Sequence, residues 1–318
     1  MRALRVEHGE VRLVDVPRPA AAGEAVVRVT CSGVCNTDLE LARGYMGFAG
    51  TLGHEFVGVI EEPGDGPLAA GTRVVGEINA GCGACAGCRA GDPRHCPTRT
   101  VLGILGRDGA HAEYLRLPAR NLVAVPDAVP DAQAVFVEPL AAACGVLERA
   151  PVAPGAAVAV IGDGKLGLLC ARVLAAADHA PVVFGKHPAK LARAERTGLA
   201  TALAADAPAH ARRFDVAIEA TGAAAGFALA VELLRPLGTL VLKSTFHGGT
   251  PIDAARLVID ELRVVGSRCG RFAPALDLLA RRAVTVDDLV SDTLPLARGA
   301  DALALAARPG VLKVLLTP

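Results

Sequence analysis

The sequence predicts an α/β-plus-β protein in two parts: a small strand-rich barrel or sandwich, then an open parallel sheet covered by helices on both faces. Three observations carry that reading. At 318 residues the chain exceeds what one hydrophobic core organises. Roughly the first hundred residues form short alternating runs punctuated by Gly and Pro. Beyond Pro126 the period changes to helix-length apolar segments alternating with continuous β-branched runs.

Short strands are expected at 11–16, 24–30, 58–62 and 73–77, separated by Pro17, Pro19, Gly23, Gly64, Gly66 and Gly71. A helical segment follows over 131–149. Residues 157–161, 166–177 and 181–184 read as strand, helix and strand, one βαβ unit. Further strands are expected at 216–218, 240–243 and 263–265, with Ala-rich helices between them, which makes the sheet parallel. The last fifty or so residues supply one helix, 273–282, and a terminal strand, 311–316.

Lys+Arg and Asp+Glu both number 33, with no basic block. Phosphate-backbone binding needs a concentrated cationic face, so nucleic acid is not an expected partner. Aromatics at 3% also disfavour base stacking. No apolar run is long enough to span a bilayer, and residues 2–10 alternate in charge, so a soluble, cytoplasmic protein with a small-molecule ligand is expected and a membrane partner is not.

Cys82, Cys85, Cys88 and Cys96 form a C-x2-C-x2-C-x7-C run. Four thiolates with short spacers suit a tetrahedral zinc cage, whereas cysteines two residues apart in a tight loop rarely reach disulfide geometry. A closed four-sulfur shell has no open position, so this ion is structural and its lobe spans about 80–97. Cys144 and Cys170 lie in apolar stretches and read as packing residues.

Gly162-Asp163-Gly164-Lys165-Leu166-Gly167 fits G-x-G-x-x-G between an expected strand and helix, the dinucleotide-binding context. A glycine-rich structural turn is the alternative. At the end of the second strand, where NAD sites carry an acid for the ribose 2′-hydroxyl, the chain reads Phe184-Gly185-Lys186-His187. Loss of the acid, with Lys186 and His187 as donors to a 2′-phosphate, favours NADP. NAD remains open, as does a plain solvated loop.

Cys35-Asn36-Thr37-Asp38, Gly53-His54-Glu55 and Val137-Glu138-Pro139-Leu140 offer a thiolate, an imidazole and a carboxylate, the set of a zinc site with one open position. Singly, each has a structural explanation: a core cysteine, a turn histidine, a helix-start carboxylate. Taken in this order with the four-cysteine lobe and the Gly162 loop, the chain resembles the zinc-containing medium-chain dehydrogenase/reductase family, which includes alcohol, polyol, threonine and glucose dehydrogenases.

The resemblance implies a GroES-like β-barrel catalytic domain, 1–138 and 268–318, with a Rossmann doubly wound parallel sheet, 139–267, inserted. It implies two zinc ions per chain, with Cys35, His54 and Glu138 as catalytic ligands and Glu55 beside the metal, able to enter its shell. Glu138 resembles the polyol and glucose dehydrogenase branches. Asp38 would orient His54, and Thr37 would carry the substrate proton. Lys313 matches a cation on cofactor phosphate, and the backbone at Lys243, Ser244 and Thr245 would face the nicotinamide. Many relatives place His where this chain has Glu40, and the chain is shorter than typical members. The expected reaction is hydride transfer between a secondary alcohol, polyol or sugar-like substrate and NADP or NAD. The acidity of Glu40, Glu55 and Glu138 favours a hydroxylated substrate. A zinc-independent quinone or enone reductase and a noncatalytic nucleotide sensor are the rivals. The resemblance also implies a homo-oligomer, dimer or tetramer.

Overall fold

The structure, a computed structural model, describes residues 1–245 and 250–318. Two compact units divide the chain, Met1–Glu138 with Ala275–Pro318, and Pro139–Pro274. The second crossing falls at 275, beyond the 268 that the resemblance implies. Lys243 Nζ donates to the carbonyls of Ala142 at 2.7 Å and Arg268 at 2.9 Å, which ties residues just after the last parallel strand to the helix Val137–Arg149. Gly270 closes that contact, since a Cβ there would stand 1.8 Å from the Ala141 carbonyl.

In the first unit, strand Ala25–Gly33 is the centre of a seven-stranded sheet. It pairs antiparallel with Glu55–Glu62, with Tyr114–Leu117 and with the C-terminal strand Lys313–Thr317. Its inward residues Val27 and Val29 join Phe56, Ile60, Leu115 and Leu117 in one core, the alternation that a half-buried strand requires. The register Leu315↔Gly33 brings the end of the chain against the segment that leads into Cys35. A small hairpin, Asn79–Ala80 with Thr100–Val101, brackets the four-cysteine lobe. Strand Val290–Pro295 and helix Gly299–Ala306 also lie in the C-terminal tail, where the sequence pattern gave one helix and one strand. The strand was illegible because its residues are mostly exposed and polar, leaving no apolar alternation. The expected helix over 131–149 is interrupted at 135–136, where Val135 and Phe136 are fully buried.

The second unit is an all-parallel six-stranded sheet. Its order is Ala200–Leu203, Val182–Gly185, Val158–Ile161, Phe214–Glu219, Leu234–Leu242, Arg263–Gly266. Counted along the chain that order is 3-2-1-4-5-6, the doubly wound dinucleotide-binding topology. Val158–Ile161 is buried at every position, as a central parallel strand must be. No helix among the described residues is long and apolar enough to cross a membrane.

Candidate active site

Cys35 is the N-cap of the helix Asn36–Ala42, and Asp38 at its third position reaches back to accept the Cys35 N–H at 2.7 Å. This is a capping box in which the first turn of a helix fixes the thiol. The other Asp38 oxygen accepts the Gly53 N–H at 3.1 Å and lies 3.4 Å from His54 Nδ1. A single fully buried carboxylate therefore holds both ligand-bearing segments. Gly53 has φ +96°, and a Cβ there would strike the His111 backbone at 2.6 Å, so only glycine presents His54 this way.

Cys35, His54 and Glu55 each bring one ligand atom to within 4.8 Å of the others. Glu138 is not part of that compact set. It sits half-buried in the first turn of Val137–Arg149, and its charge adds to the field on Lys313. Thr37 Oγ1 lies 3.9 Å from Cys35 Sγ. Burial alone would lift the Asp38 carboxyl, but the His54 and His111 imidazoles outweigh it and hold it well below the carboxylate range. For His54, burial acts to lower the pKa; the Asp38 carboxylate and then the Cys35 sulfur overcome it and raise it well above normal.

Lys313 lies at this cluster. Its side chain is fully buried, its ammonium pairs with Glu55 Oε2 and donates to the Val34 carbonyl at 3.3 Å, and it lies over the Phe136 ring. An ammonium so enclosed is paired with Glu55. Gly33 makes room for the pair, since a Cβ there would stand 2.6 Å from Glu55 Oε2. The expected acidity also shrinks, because Lys313 compensates Glu55 and Arg43 pairs with Glu40 at 2.8 Å. Glu55 Oε1 remains buried without a hydrogen-bond partner. An orphaned carboxylate oxygen facing a thiol and an imidazole fits a metal ligand.

His111 is a residue the sequence reading missed. It is fully buried, with Nδ1 2.9 Å from Ser32 Oγ and Nε2 3.6 Å from Asp38. Nothing in its local sequence signals this, because its link to Asp38 exists only through tertiary packing.

At the second cluster the sulfurs of Cys82, Cys85, Cys88 and Cys96 lie within 4.8 Å of one another, and none of the nine cysteines is in a disulfide. Backbone N–H groups point at the sulfurs: Ala84 and Cys85 at Cys82, Cys88 at Cys85, and Cys82 at Cys96, at 3.3 to 3.5 Å. The N–H of Cys82 pulls the Cys96 thiol down to about 6, and those of Ala84 and Cys85 lower Cys82, whereas burial pushes Cys88 up to about 11. Donors aimed at the Cys82, Cys85 and Cys96 sulfurs favour thiolates, the form that holds zinc. Burial drives Cys144 to about 12 and Cys170 to about 11, which suits packing thiols.

In the second unit Gly162 ends a central strand with φ +127°, and Gly164 caps the helix Lys165–Ala176 with no side-chain hydrogen bond. A Cβ on Gly167 would stand 2.0 Å from the Gly162 carbonyl, so the third glycine permits close packing of helix and strand. Lys165 and Leu166 are half-buried in that first turn. Ser244 Oγ accepts the Gly222 N–H at 2.7 Å, and Thr245 is exposed beyond it. Lys186 and His187 are exposed at the strand end, and both backbone N–H groups donate to Asp163.

Residues 21–127 match the alcohol dehydrogenase GroES-like domain, and residues 166–281 match the zinc-binding dehydrogenase domain. The erythritol/L-threitol dehydrogenase of Mycolicibacterium smegmatis is 31% identical, over 94% of this chain and 92% of that protein. The chain belongs to the zinc-containing medium-chain dehydrogenase/reductase family. It is an oxidoreductase of the zinc-type alcohol dehydrogenase class. A zinc-binding dehydrogenase from Sinorhizobium meliloti 1021, bound to NADP, superposes with TM-score 0.89 at 30% identity, covering 100% of this chain and 99% of that one. The alcohol dehydrogenase RspB from Escherichia coli CFT073, complexed with NADH, gives TM-score 0.90 at 27% identity over 100% and 99%. Membership gives the two clusters distinct meanings, a buried mixed-ligand site in the barrel and a closed cysteine lobe beside it.

Proposed function

We propose that this dehydrogenase interconverts a secondary alcohol, polyol or sugar-like hydroxyl with its carbonyl, using NADP in preference to NAD. The observation that carries the proposal is the buried cluster of Cys35, His54 and Glu55 with its unpartnered carboxylate oxygen. Cys35, His54, Glu55 and Glu138 are the groups that would hold the catalytic zinc, and Cys82, Cys85, Cys88 and Cys96 the structural one. Bound there, catalytic zinc supplies a Lewis acid that lowers the pKa of a substrate hydroxyl.

The chain's own residues do the rest. Thr37 Oγ1, beside Cys35, accepts the hydroxyl proton and passes it outward. Glu40, held by Arg43, stands one turn further along the same helix as the next acceptor. Asp38, braced by His111, keeps His54 in one orientation so that its free ring nitrogen faces the metal position. The helix N-terminus at Gly164 would bind the pyrophosphate, and the backbone at Lys243–Thr245 would face the nicotinamide. A nicotinamide cofactor, when bound, would supply the acceptor for the hydride that leaves the substrate carbon with its electron pair.

A second copy of the chain is proposed as the partner. Arg263–Gly266 is an edge strand bonded on one side only, and Val264, Val258 and Ile259 nearby are 43%, 74% and 77% exposed. Light scattering reads this directly, with a monomer mass overturning it. For the reaction, the test is a panel of secondary alcohols, polyols and sugars read by NADPH and NADH absorbance on protein of measured zinc content. Turnover that disappears with one of two zinc ions is expected; full activity in zinc-free protein overturns the reading.

A further inference from the structure

Asp163 occupies a variable position of the glycine loop, one the phosphate-binding geometry leaves unassigned. Its side chain is 10% exposed and turns toward the end of the neighbouring strand, Val182–Gly185. There Oδ2 accepts the backbone N–H of Lys186 at 2.8 Å and of His187 at 2.7 Å, and lies 2.9 Å from His187 Nδ1. This strand end is where NAD sites hold the ribose 2′-hydroxyl with an acid and NADP sites accommodate a 2′-phosphate. A Cβ on Gly185 would stand 2.6 Å from Asp163 Cβ and 2.8 Å from Oδ2. A side chain at 185 and the carboxylate of Asp163 thus exclude each other. Gly185 does not leave the strand end without an acid; it makes room for one that arrives from the loop.

We propose that Asp163 is the residue that limits selectivity for the 2′-phosphate, supplying from the glycine loop the carboxylate that the strand end lacks. The proposal rests on the nucleotide site described above. Asp163 opposes a 2′-phosphate in two ways. It occupies the N–H donors of Lys186 and His187, the groups a phosphate oxygen would use, and it places a negative charge beside them. It also draws the His187 ring to itself, leaving the exposed Lys186 side chain as the cation free to favour the phosphate. A carboxylate accepts about four hydrogen bonds, so Oδ1 keeps capacity for a ribose hydroxyl. Lys186 pulls toward NADP, Asp163 pulls against it, and the preference is narrower than Gly185 alone implies.

Isothermal calorimetry of wild type, Asp163→Asn and Asp163→Ser with 5′-AMP and with adenosine 2′,5′-bisphosphate tests this. The affinity ratio of the bisphosphate to 5′-AMP is expected to rise about 10- to 100-fold in the variants, the size of a charge-assisted hydrogen bond. If both ligands bind and the ratio does not move, the role of Asp163 is overturned while the nucleotide site stands. If neither ligand binds wild type, the site and the proposal are overturned together. Should both variants fail to fold, amide exchange in wild type decides. Equal protection of the Lys186 and His187 N–H groups by the two ligands supports the proposal; added protection by the bisphosphate overturns it, because the phosphate would then have taken those donors.

Discussion

The two thiol-bearing clusters of the first unit are built in opposite ways. The lobe at Cys82, Cys85, Cys88 and Cys96 is local: one short loop supplies every sulfur and most of the N–H groups aimed at them. The cluster at Cys35, His54 and Glu55 is assembled from two segments tied together by Asp38 and depends on His111 and Lys313 brought from other parts of the chain. Local construction makes a site that can stand as a unit of structure. Distributed construction makes a buried site whose charges are balanced by the whole unit, and one orphaned carboxylate oxygen is left for chemistry.

That difference predicts opposite outcomes for loss of a thiol. Cys35→Ala is expected to lower turnover by about three orders of magnitude or more, the scale of several kcal/mol of lost Lewis-acid stabilisation. Metal analysis should then find one zinc where wild type has two, with the melting temperature little changed. Cys85→Ser should do the reverse, losing the other zinc and much stability while the folded fraction still turns over. Equal effects of the two substitutions on turnover would erase the distinction.

Lys313→Met probes the charge balance of the distributed site. It leaves Glu55 buried without its counter-ion, and breaking a buried pair costs about 3–5 kcal/mol. Urea unfolding of this variant and of Lys313→Met with Glu55→Gln measures it, and the double variant should regain most of the loss. No recovery would mean that Lys313 acts by packing alone.

Asp38→Asn should weaken zinc at the Cys35 site by about 10- to 100-fold, the usual consequence of losing the group that orients a ligand histidine. Competition with a chromophoric chelator should show the cysteine lobe unaffected. A parallel loss at the lobe would contradict the separation of the two clusters.

The smallest effect concerns a control outside both. Burial would raise the Glu24 carboxyl, but its hydrogen bonds and charge contact with Arg107, and then Arg116, lower it. Its folded pKa is below its unfolded value of about 4.3, so its stabilisation is present above that pH and is lost as pH falls through the folded value. Being partly exposed, the pair contributes about 1 kcal/mol or less. The difference in unfolding free energy between wild type and Glu24→Gln should shrink toward pH 3 without change in zinc content or turnover.

Legibility followed the same division. The cysteine lobe and the glycine loop were readable because their parts are neighbours in sequence and their spacing carries the geometry. Cys35, His54 and Glu55 were readable only as short segments in a fixed order, and their convergence is decided by sheet pairing between Ala25–Gly33 and Glu55–Glu62. His111 and Asp163 were not readable as functional residues. The first acts across the barrel, and the second at a variable position whose neighbour Gly185 is set by the parallel register Ile161↔Phe184. A glycine at a strand end together with a carboxylate inside the glycine loop is the signal that could have found the latter.

By itself the sequence determined the two-part architecture, the closed cysteine lobe and the doubly wound nucleotide-binding unit, since these rest on periodicity, spacing and backbone freedom that short stretches encode. Only the tertiary structure decided that Lys313 neutralises Glu55. Only it decided that Asp38 gathers both ligand segments and that Asp163 returns a carboxylate to the strand end. Those contacts join segments separated along the chain, and their energies depend on burial and distance, which exist only once the strands have paired.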